Sequence, residues 1–156
     1  SLSGAVVSDP TPVTVAGTSS EVVMKTFTFF PHELHVGMCI RIIANGIISD
    51  DGVRVCILTL AGTGGDLATM TSTAASASNA PWNLEWYGIV SSLGAGGDIE
   101  SQAKGSINRV NKDSANSATV AVDTTSSFTV SLSADWNGSQ AGNTISVRQW
   151  IIEILW

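Results

Sequence analysis

The sequence has little charge, few aromatic residues and no long apolar segment. Only 13% of its 156 residues are charged, about half the share typical of a soluble domain, whereas 44% are hydrophobic. Intrinsically disordered chains show the reverse combination, so we expect this chain to fold. No uninterrupted apolar run reaches the ~18 residues that a membrane-spanning helix requires, so no insertion into a membrane is expected.

Positive charge is especially scarce. Seven Lys and Arg against thirteen Asp and Glu leave a net charge of −6, and the cations are spread along the sequence without a basic cluster. Proteins that bind nucleic acids neutralise phosphates with a patch of Lys and Arg. We therefore expect no nucleic-acid partner.

Residues that carry enzyme chemistry are also few. The only histidines, His32 and His35, follow Pro31 in a segment without the helical frame that would bring both to one metal, so a surface loop is expected there. Neither cysteine has a neighbouring group that would activate it as a nucleophile. Four acidic residues stand singly on polar strand faces: Glu85, Glu100, Asp123 and Asp135. These patterns predict a protein that is not an enzyme and holds no metal or cofactor.

Alternation of apolar and polar residues is the dominant pattern in what remains. It recurs in short segments spaced by Gly, Ser, Asn and Asp, most regularly over 128–136 and 98–107. Such spacing is typical of an all-β protein, and we predict an antiparallel β-sandwich or jelly roll of nine or ten strands without a substantial helix. Among the apolar residues of the first third, we expect a group to enter the core: Val22, Val23, Phe27, Phe29, Phe30 and Leu34.

The N-terminal residues differ from the rest. The Asp9-Pro10-Thr11-Pro12 segment favours an extended backbone and removes two amide donors. We therefore expect residues 1–12 to form an extended arm and residues 13–156 to form a single domain, since a chain of this length buries about 70% of its unfolded surface.

One tight turn is expected at 49–52. Its Asp-Gly pair lies between two apolar segments, 38–48 and 53–61, a pattern that predicts a β-hairpin. In such a hairpin Cys39 and Cys56 lie several residues out of register, too far apart for a disulfide. Both are predicted to be buried free thiols, which agrees with synthesis in a reducing cytoplasm.

Five tryptophans invite comparison with a sugar-stacking platform. Trp82, Trp86 and Trp136 share their parity with aliphatic residues, so we predict that they belong to the core. Tyr87 and Trp156 are freer to be exposed, at a subunit interface or a ligand surface.

The last strand, 144–156, is the longest apolar segment. Its branched aliphatic residues fall on both faces of a pleated strand, so both faces require a cover. One cover is the domain core, and the other is a second sheet or another subunit. The candidates for an oligomer interface are Trp150, Ile152, Ile154 and Trp156.

A series of short motifs gives the sequence a resemblance to a known family. In order, they are Thr18–Glu21, Pro31, Leu34 and Gly37 before Ile40–Ile42, Trp82–Glu85, Asp123–Thr125, Trp136 and Gly142–Ile145. Over roughly residues 13–155, this series resembles jelly-roll domains in virion structural proteins of tailed bacteriophages. Such domains occur on capsid surfaces and at the tips of head or tail fibres.

The resemblance implies a non-enzymatic protein of the virion surface, made in the host cytoplasm. It implies a homotrimer that decorates or cements the major capsid protein. The alternative is the receptor-binding knob of a head or tail fibre, with a host surface glycan as a partner. A secreted carbohydrate-binding module is a third possibility.

Overall fold

The computed structural model describes residues 4–112 and 118–155, and within them every regular element is a β-strand. Two antiparallel sheets pack face to face, so the predicted β-sandwich is confirmed. The described ranges contain no helix long and apolar enough to cross a membrane. The strands are β1 (Gly4–Asp9), β2 (Val13–Ala16), β3 (Val22–Phe29), β4 (Cys39–Asp50), β5 (Cys56–Gly62), β6 (Gly65–Thr71), β7 (Ala77–Ser92), β8 (Gly97–Ile107), β9 (Val110–Lys112), β10 (Ala118–Val122), β11 (Phe128–Trp136) and β12 (Thr144–Leu155).

The larger sheet has eight strands and the smaller has four. The order in the larger sheet is β1-β12-β4-β7-β8-β10, with β2 paired to β12 and β9 paired to β8. The order in the smaller sheet is β3-β11-β5-β6. The described residues form twelve strands instead of nine or ten, because β1 and β9 add to those predicted from the sequence.

The core lies between the two sheets and is filled by alternate residues. Trp82 and Trp86 on β7 and Trp136 on β11 are buried, as the sequence predicted, and Leu84 and Val90 are buried on the same side of β7. The indole of Trp82 donates a hydrogen bond to the carbonyl of Ser146 at 2.9 Å. Hydrogen bonding offsets the cost of placing a polar N–H in a water-free interior.

The N-terminal arm is part of the larger sheet. Residues 4–9 form β1, which pairs with β12. Lys25, on β3 of the other sheet, reaches across the sandwich edge to Asp9 (Nζ to Oδ2, 2.6 Å) and to the carbonyl of Thr11 (2.8 Å). Residues 4–9 are therefore extended, and they are bound to both sheets by a backbone ladder and an ion pair.

The hairpin predicted at 49–52 is wrong. β4 pairs with β7 and β12 in the larger sheet, whereas β5 pairs with β6 and β11 in the smaller one. The Asp-Gly turn forms, since Gly52 has a φ of 82° and its amide donates to Asp50 Oδ1, but it carries the chain from one sheet to the other. The amide of Asp51 is held by the side chain of Asn143 in the loop before β12, a contact remote in sequence. Cys39 and Cys56 are free, as predicted, and they lie in different sheets. Cys56 is buried as expected, whereas the expected burial of Cys39 is wrong, since it is half-buried on the solvent side of β4.

The core residues expected in the first third of the chain are only partly right. In β3 and just after it, Val22, Val23 and Phe30 are exposed, and only Phe29 is fully buried while Phe27 is half-buried. Leu34 is buried as predicted.

Candidate binding face

The outer face of the larger sheet carries the exposed counterparts of the core residues. We call it the outer face, and its central part is formed by β12, β4, β7 and β8. Because successive residues of a strand point to opposite sides, each core residue has a neighbour on this face. The residues of its central part are Gln149, Ile151, Glu153 and Leu155; Cys39, Arg41, Ile43, Asn45 and Ile47; Asn83, Glu85, Tyr87 and Ile89; and Glu100, Gln102, Lys104 and Ser106.

A row of amides and hydroxyls crosses the outer face. Strand register places five residues side by side on β12, β4, β7, β8 and β9: Gln149, Asn45, Asn83, Ser106 and Asn111. Asn45 Nδ2 donates to Gln149 Oε1 at 2.8 Å, and Asn83 Nδ2 donates to Ser106 Oγ at 2.7 Å. Neighbouring strands are about 4.8 Å apart, so this amide row extends roughly 19 Å. The pairing fixes the orientation of side chains that would otherwise rotate freely.

An ion-pair network lies beside the amide row. Arg41 sits between two acids, with Nε 3.2 Å from Glu85 Oε1 and Nη1 3.5 Å from Glu153 Oε2, and its guanidinium lies 5.9 Å from the ring centre of Tyr87. The Tyr87 hydroxyl donates to Glu85, whose other oxygen is 3.5 Å from Lys104 Nζ.

This network favours one set of protonation states. The hydrogen bond from Tyr87, with Lys104 and Arg41 nearby, lowers the pKa of Glu85 below its ordinary value. The same hydrogen bond to a carboxylate raises the pKa of Tyr87. At neutral pH the carboxylate of Glu85 therefore stays ionised and the hydroxyl of Tyr87 stays protonated, so the two side chains form a fixed polar contact.

Three adjoining depressions run along β8 on the outer face. The first, about 350 Å³, is lined by Asn83, Lys104, Gly105, Ser106, Asn111 and Lys112. The second, about 180 Å³, is lined by Tyr87, Gln102, Ala103 and Lys104. The third, about 520 Å³, is lined by Tyr87, Ile89, Glu100, Ser101, Gln102, Ala118 and Thr119. Because neighbouring depressions share lining residues, we treat them as one trough.

One end of the trough is closed by the short strand β9, and both Lys104 on β8 and Lys112 on β9 contribute to the lining of that depression. The short turn at 108–109 returns the chain antiparallel, so that Asn111 pairs with Ser106 on the outer face and Lys112 pairs with Gly105 on the opposite parity. Positive φ angles at Asn108 and Arg109 mark that turn. The missed signal was this Asn, a residue that tolerates such a backbone, after the alternating segment 98–107.

The residues predicted for an oligomer interface do not lie on the outer face. Trp150, Ile152 and Ile154 are fully buried between the sheets of the single chain, so as surface groups they are unavailable to a neighbour. Trp156 lies outside the described residues. β12 occupies an interior position between β1 or β2 and β4, which is why its inward side chains are covered by the smaller sheet. The side chains of β12 that remain at the surface are on the other parity, as for Ile151, Glu153 and Leu155.

The histidine segment lines a depression that shares no lining residue with the trough. His32 and His35 line a depression of about 380 Å³ together with Leu34, Leu93, Gly94, Thr124 and Thr125. Backbone hydrogen bonds from His32 to Thr124 and from Thr124 to Gly94 join the three loops. Within residues 4–112 and 118–155, no group of three His, Cys, Asp or Glu side chains is arranged to hold a metal ion.

Comparison with known proteins gives only remote likenesses. No family model matches the sequence, and no curated protein matches it. Among solved structures, an alginate lyase of polysaccharide lyase family 7 is 8% identical with a TM-score of 0.36; the match covers 77% of this chain and 60% of the lyase. The CBM2 module of the evolved Dit protein of Lactobacillus casei BL23 phage J-1 is 9% identical with a TM-score of 0.36, covering 84% of this chain and 70% of that one. Both scores are low, and neither likeness indicates a function for this chain.

Proposed function

We propose that this chain is a non-enzymatic module of a bacteriophage particle surface, and that it attaches the particle to a carbohydrate surface through the trough and the amide row. The phage setting comes from the sequence motifs described above. The attachment role is inferred from the polar groups of the outer face. These groups favour the receptor-binding alternative over capsid decoration.

The amide row is the observation that carries this proposal. Each amide both donates and accepts hydrogen bonds, as do the hydroxyls of a sugar, so a line of amides and a Ser hydroxyl offers complementary partners to a chain of sugar rings. The side-chain pairs Asn45–Gln149 and Asn83–Ser106 are already oriented, which lowers the entropy lost on binding. Tyr87, in the neighbouring depression, adds an amphipathic ring to the same trough.

The test is binding of oligosaccharides to the purified chain by calorimetry, preceded by a survey of immobilised glycans. We expect Asn83→Ala combined with Asn45→Ala to weaken binding at least tenfold, because each lost hydrogen bond is worth about 1 kcal/mol. Thr129→Val is the matched control, since its hydroxyl pairs with Thr28 on the outer side of the smaller sheet. Failure to bind any glycan, or equal loss in the control, would contradict the attachment role.

The second candidate is a trimeric decoration or cement protein bound to the major capsid protein. Its support is apolar area on the outer face: Ile43 and Ile151 are half-buried register neighbours, and Leu155 and Ile89 flank Cys39. A stable interface requires at least about 1,000 Å² of total buried surface with apolar groups at its centre. Light scattering of the free chain and co-sedimentation with undecorated capsids test this role. A free chain that is monomeric and does not co-sediment with capsids would contradict the decoration role.

A further inference from the structure

Tyr87 is the one aromatic side chain among the described residues that line the trough. It lines two of the three depressions, and the other residues that line these two belong to β7, β8 and β10. Strand register places Arg41 on the β4 side of Tyr87 and Gln102 on its β8 side. The guanidinium of Arg41 lies 5.9 Å from the ring centre. One side of the ring is therefore covered by Arg41, and the depressions lie on the other side.

The orientation of this ring is fixed by its neighbours. The Tyr87 hydroxyl donates a hydrogen bond to Glu85, whose Oε1 is also 3.2 Å from Arg41 Nε. Arg41 is held in turn by Glu153, whose Oε2 is 3.5 Å from Arg41 Nη1. A side chain that is already held in one conformation loses less entropy when a ligand binds. Arg41 and Glu85 therefore act as positioning residues for the ring of Tyr87.

An aromatic ring discriminates between sugars by the groups on each face of the sugar. Its own face is negatively polarised, so it attracts C–H groups and repels hydroxyl oxygens. β-Glucosides and β-galactosides have at least one face on which every axial group is a hydrogen. An α-mannoside has an axial oxygen on each face, O1 on one and O2 on the other, so it lacks an uninterrupted C–H face.

We infer that the trough selects β-linked sugars with an uninterrupted C–H face, which stacks on the open side of Tyr87, and that it discriminates against α-mannosides. This inference rests on the proposed attachment function and names the class of its ligand. Gln102 and Glu100 line the depressions beside Tyr87 and offer hydrogen bonds to the equatorial hydroxyls at the edge of a stacked sugar.

The experiment compares three neutral probes of equal length by calorimetry: cellotetraose, a β-1,4-galactotetraose and an α-1,6-mannotetraose. We expect at least one β-linked probe to bind about tenfold or more tightly than the mannose probe, because only the β-linked probes offer a C–H face to the ring. Should no probe bind, the ligands found among the immobilised glycans decide the question by whether they have such a face.

Two substitutions of Tyr87 separate stacking from packing. Tyr87→Phe keeps the ring and should retain the preference for the β-linked probe within about twofold, whereas Tyr87→Leu keeps apolar volume without a ring and should abolish most of that preference. Phe30→Ala is the matched control, since it removes an exposed ring that lines no part of the trough and should change neither affinity. Unchanged thermal unfolding establishes that each variant is folded.

Substitutions of Arg41 test the positioning role. Arg41→Met removes the cation beside the ring and should lower the preference for the β-linked probe about threefold, whereas Arg41→Lys keeps a cation there and should restore most of it. If Arg41→Met lowers stability and leaves the preference unchanged, Arg41 has a structural role and does not position the ring.

Three results would overturn the selection of β-linked sugars while leaving the attachment function intact. They are equal or tighter binding of the mannose probe, a preference that survives in Tyr87→Leu, and glycan ligands that all have an axial oxygen on both faces. Absence of binding by all three probes and by the immobilised glycans would instead overturn the attachment function itself.

Discussion

The two faces of the larger sheet are built from alternate residues of the same strands, yet they have opposite properties. On β12 the inner residues Trp150, Ile152 and Ile154 are buried, whereas the outer residues Glu153 and Leu155 keep contact with water. The inner face derives its stability from packing, which is worth several kcal/mol for each large side chain. The outer face carries paired polar groups that contribute little to stability and much to shape and charge.

This comparison separates folding from recognition. Substitutions on the inner face should change stability strongly, and substitutions on the outer face should change binding while the fold persists. Substitutions on each face, compared for stability and for binding, test that separation.

Neighbouring isoleucines on β12 give the sharpest contrast. Ile152→Ala should lower the free energy of unfolding by about 2–5 kcal/mol, since it leaves a cavity between the sheets. Ile151→Ala, on the half-buried outer side, should cost about 1 kcal/mol. Chemical denaturation of both variants measures the difference. Equal losses in the free energy of unfolding would contradict the difference between the two faces. They would indicate that another copy of the chain covers the outer face.

A glycine on β7 tests how tightly the inner face is packed. A Cβ at Gly88 would meet the Trp86 ring and Ile99, 2.7 Å from Trp86 Cζ2 and from Ile99 Cγ2. Gly88→Ala should therefore cost about 1–3 kcal/mol through overpacking. Gly96→Ala, where a Cβ would meet nothing within 4 Å, is the control and should stay within about 0.5 kcal/mol. If Gly88→Ala leaves the free energy of unfolding unchanged, the rigid placement of Trp86 is contradicted.

The ion-pair network on the outer face should matter less. Glu85→Gln weakens contacts to Arg41 and Lys104, but those groups are partly exposed, so we expect a loss of about 1 kcal/mol or less that shrinks with salt. Glu100→Gln removes an acid whose described hydrogen bond is to Thr119, and serves as the control. If Glu85→Gln lowers the free energy of unfolding by more than Ile151→Ala does, the ion-pair network is a determinant of the stability of the fold.

The smallest change in stability is expected when the pH is lowered. Lys25 holds the pKa of Asp9 at about 2, below its ordinary value of 3.8. Since the folded pKa is the lower one, the ion pair stabilises the protein fully above pH ~4, and this contribution disappears as pH falls toward 2. Asp9→Asn should lack that part of the acid dependence. Parallel unfolding curves for both proteins between pH 5 and 2 would show that β1 is not held by this contact.

Local pattern was sufficient wherever one strand buries one face. In β7 the period of two identified Trp82 and Trp86 as inward residues, because alternation alone decides which side meets the core. It failed at Val22 and Val23, where apolar residues lie near the start of an edge strand and remain exposed. It also failed at Asp51-Gly52, where the turn residues were right and the partner strands were not.

The trough could not be read from the sequence in the same way. Gln149, Asn45, Asn83, Ser106 and Asn111 meet only because β12, β4, β7, β8 and β9 are neighbours in one register. No single segment contains a signal for that register, since strand partners are chosen by packing across the whole sandwich.

By itself, the sequence determined an all-β chain, free cysteines and a core rich in tryptophan, since these follow from composition and from the period of two. Only the tertiary structure decided which apolar residues of β12 face inward, that residues 4–9 form a sheet strand, and that Asn45, Asn83 and Ser106 lie side by side on the outer face. The physical reason is that side-chain parity is a local property of a strand, whereas strand order and register depend on contacts between distant residues.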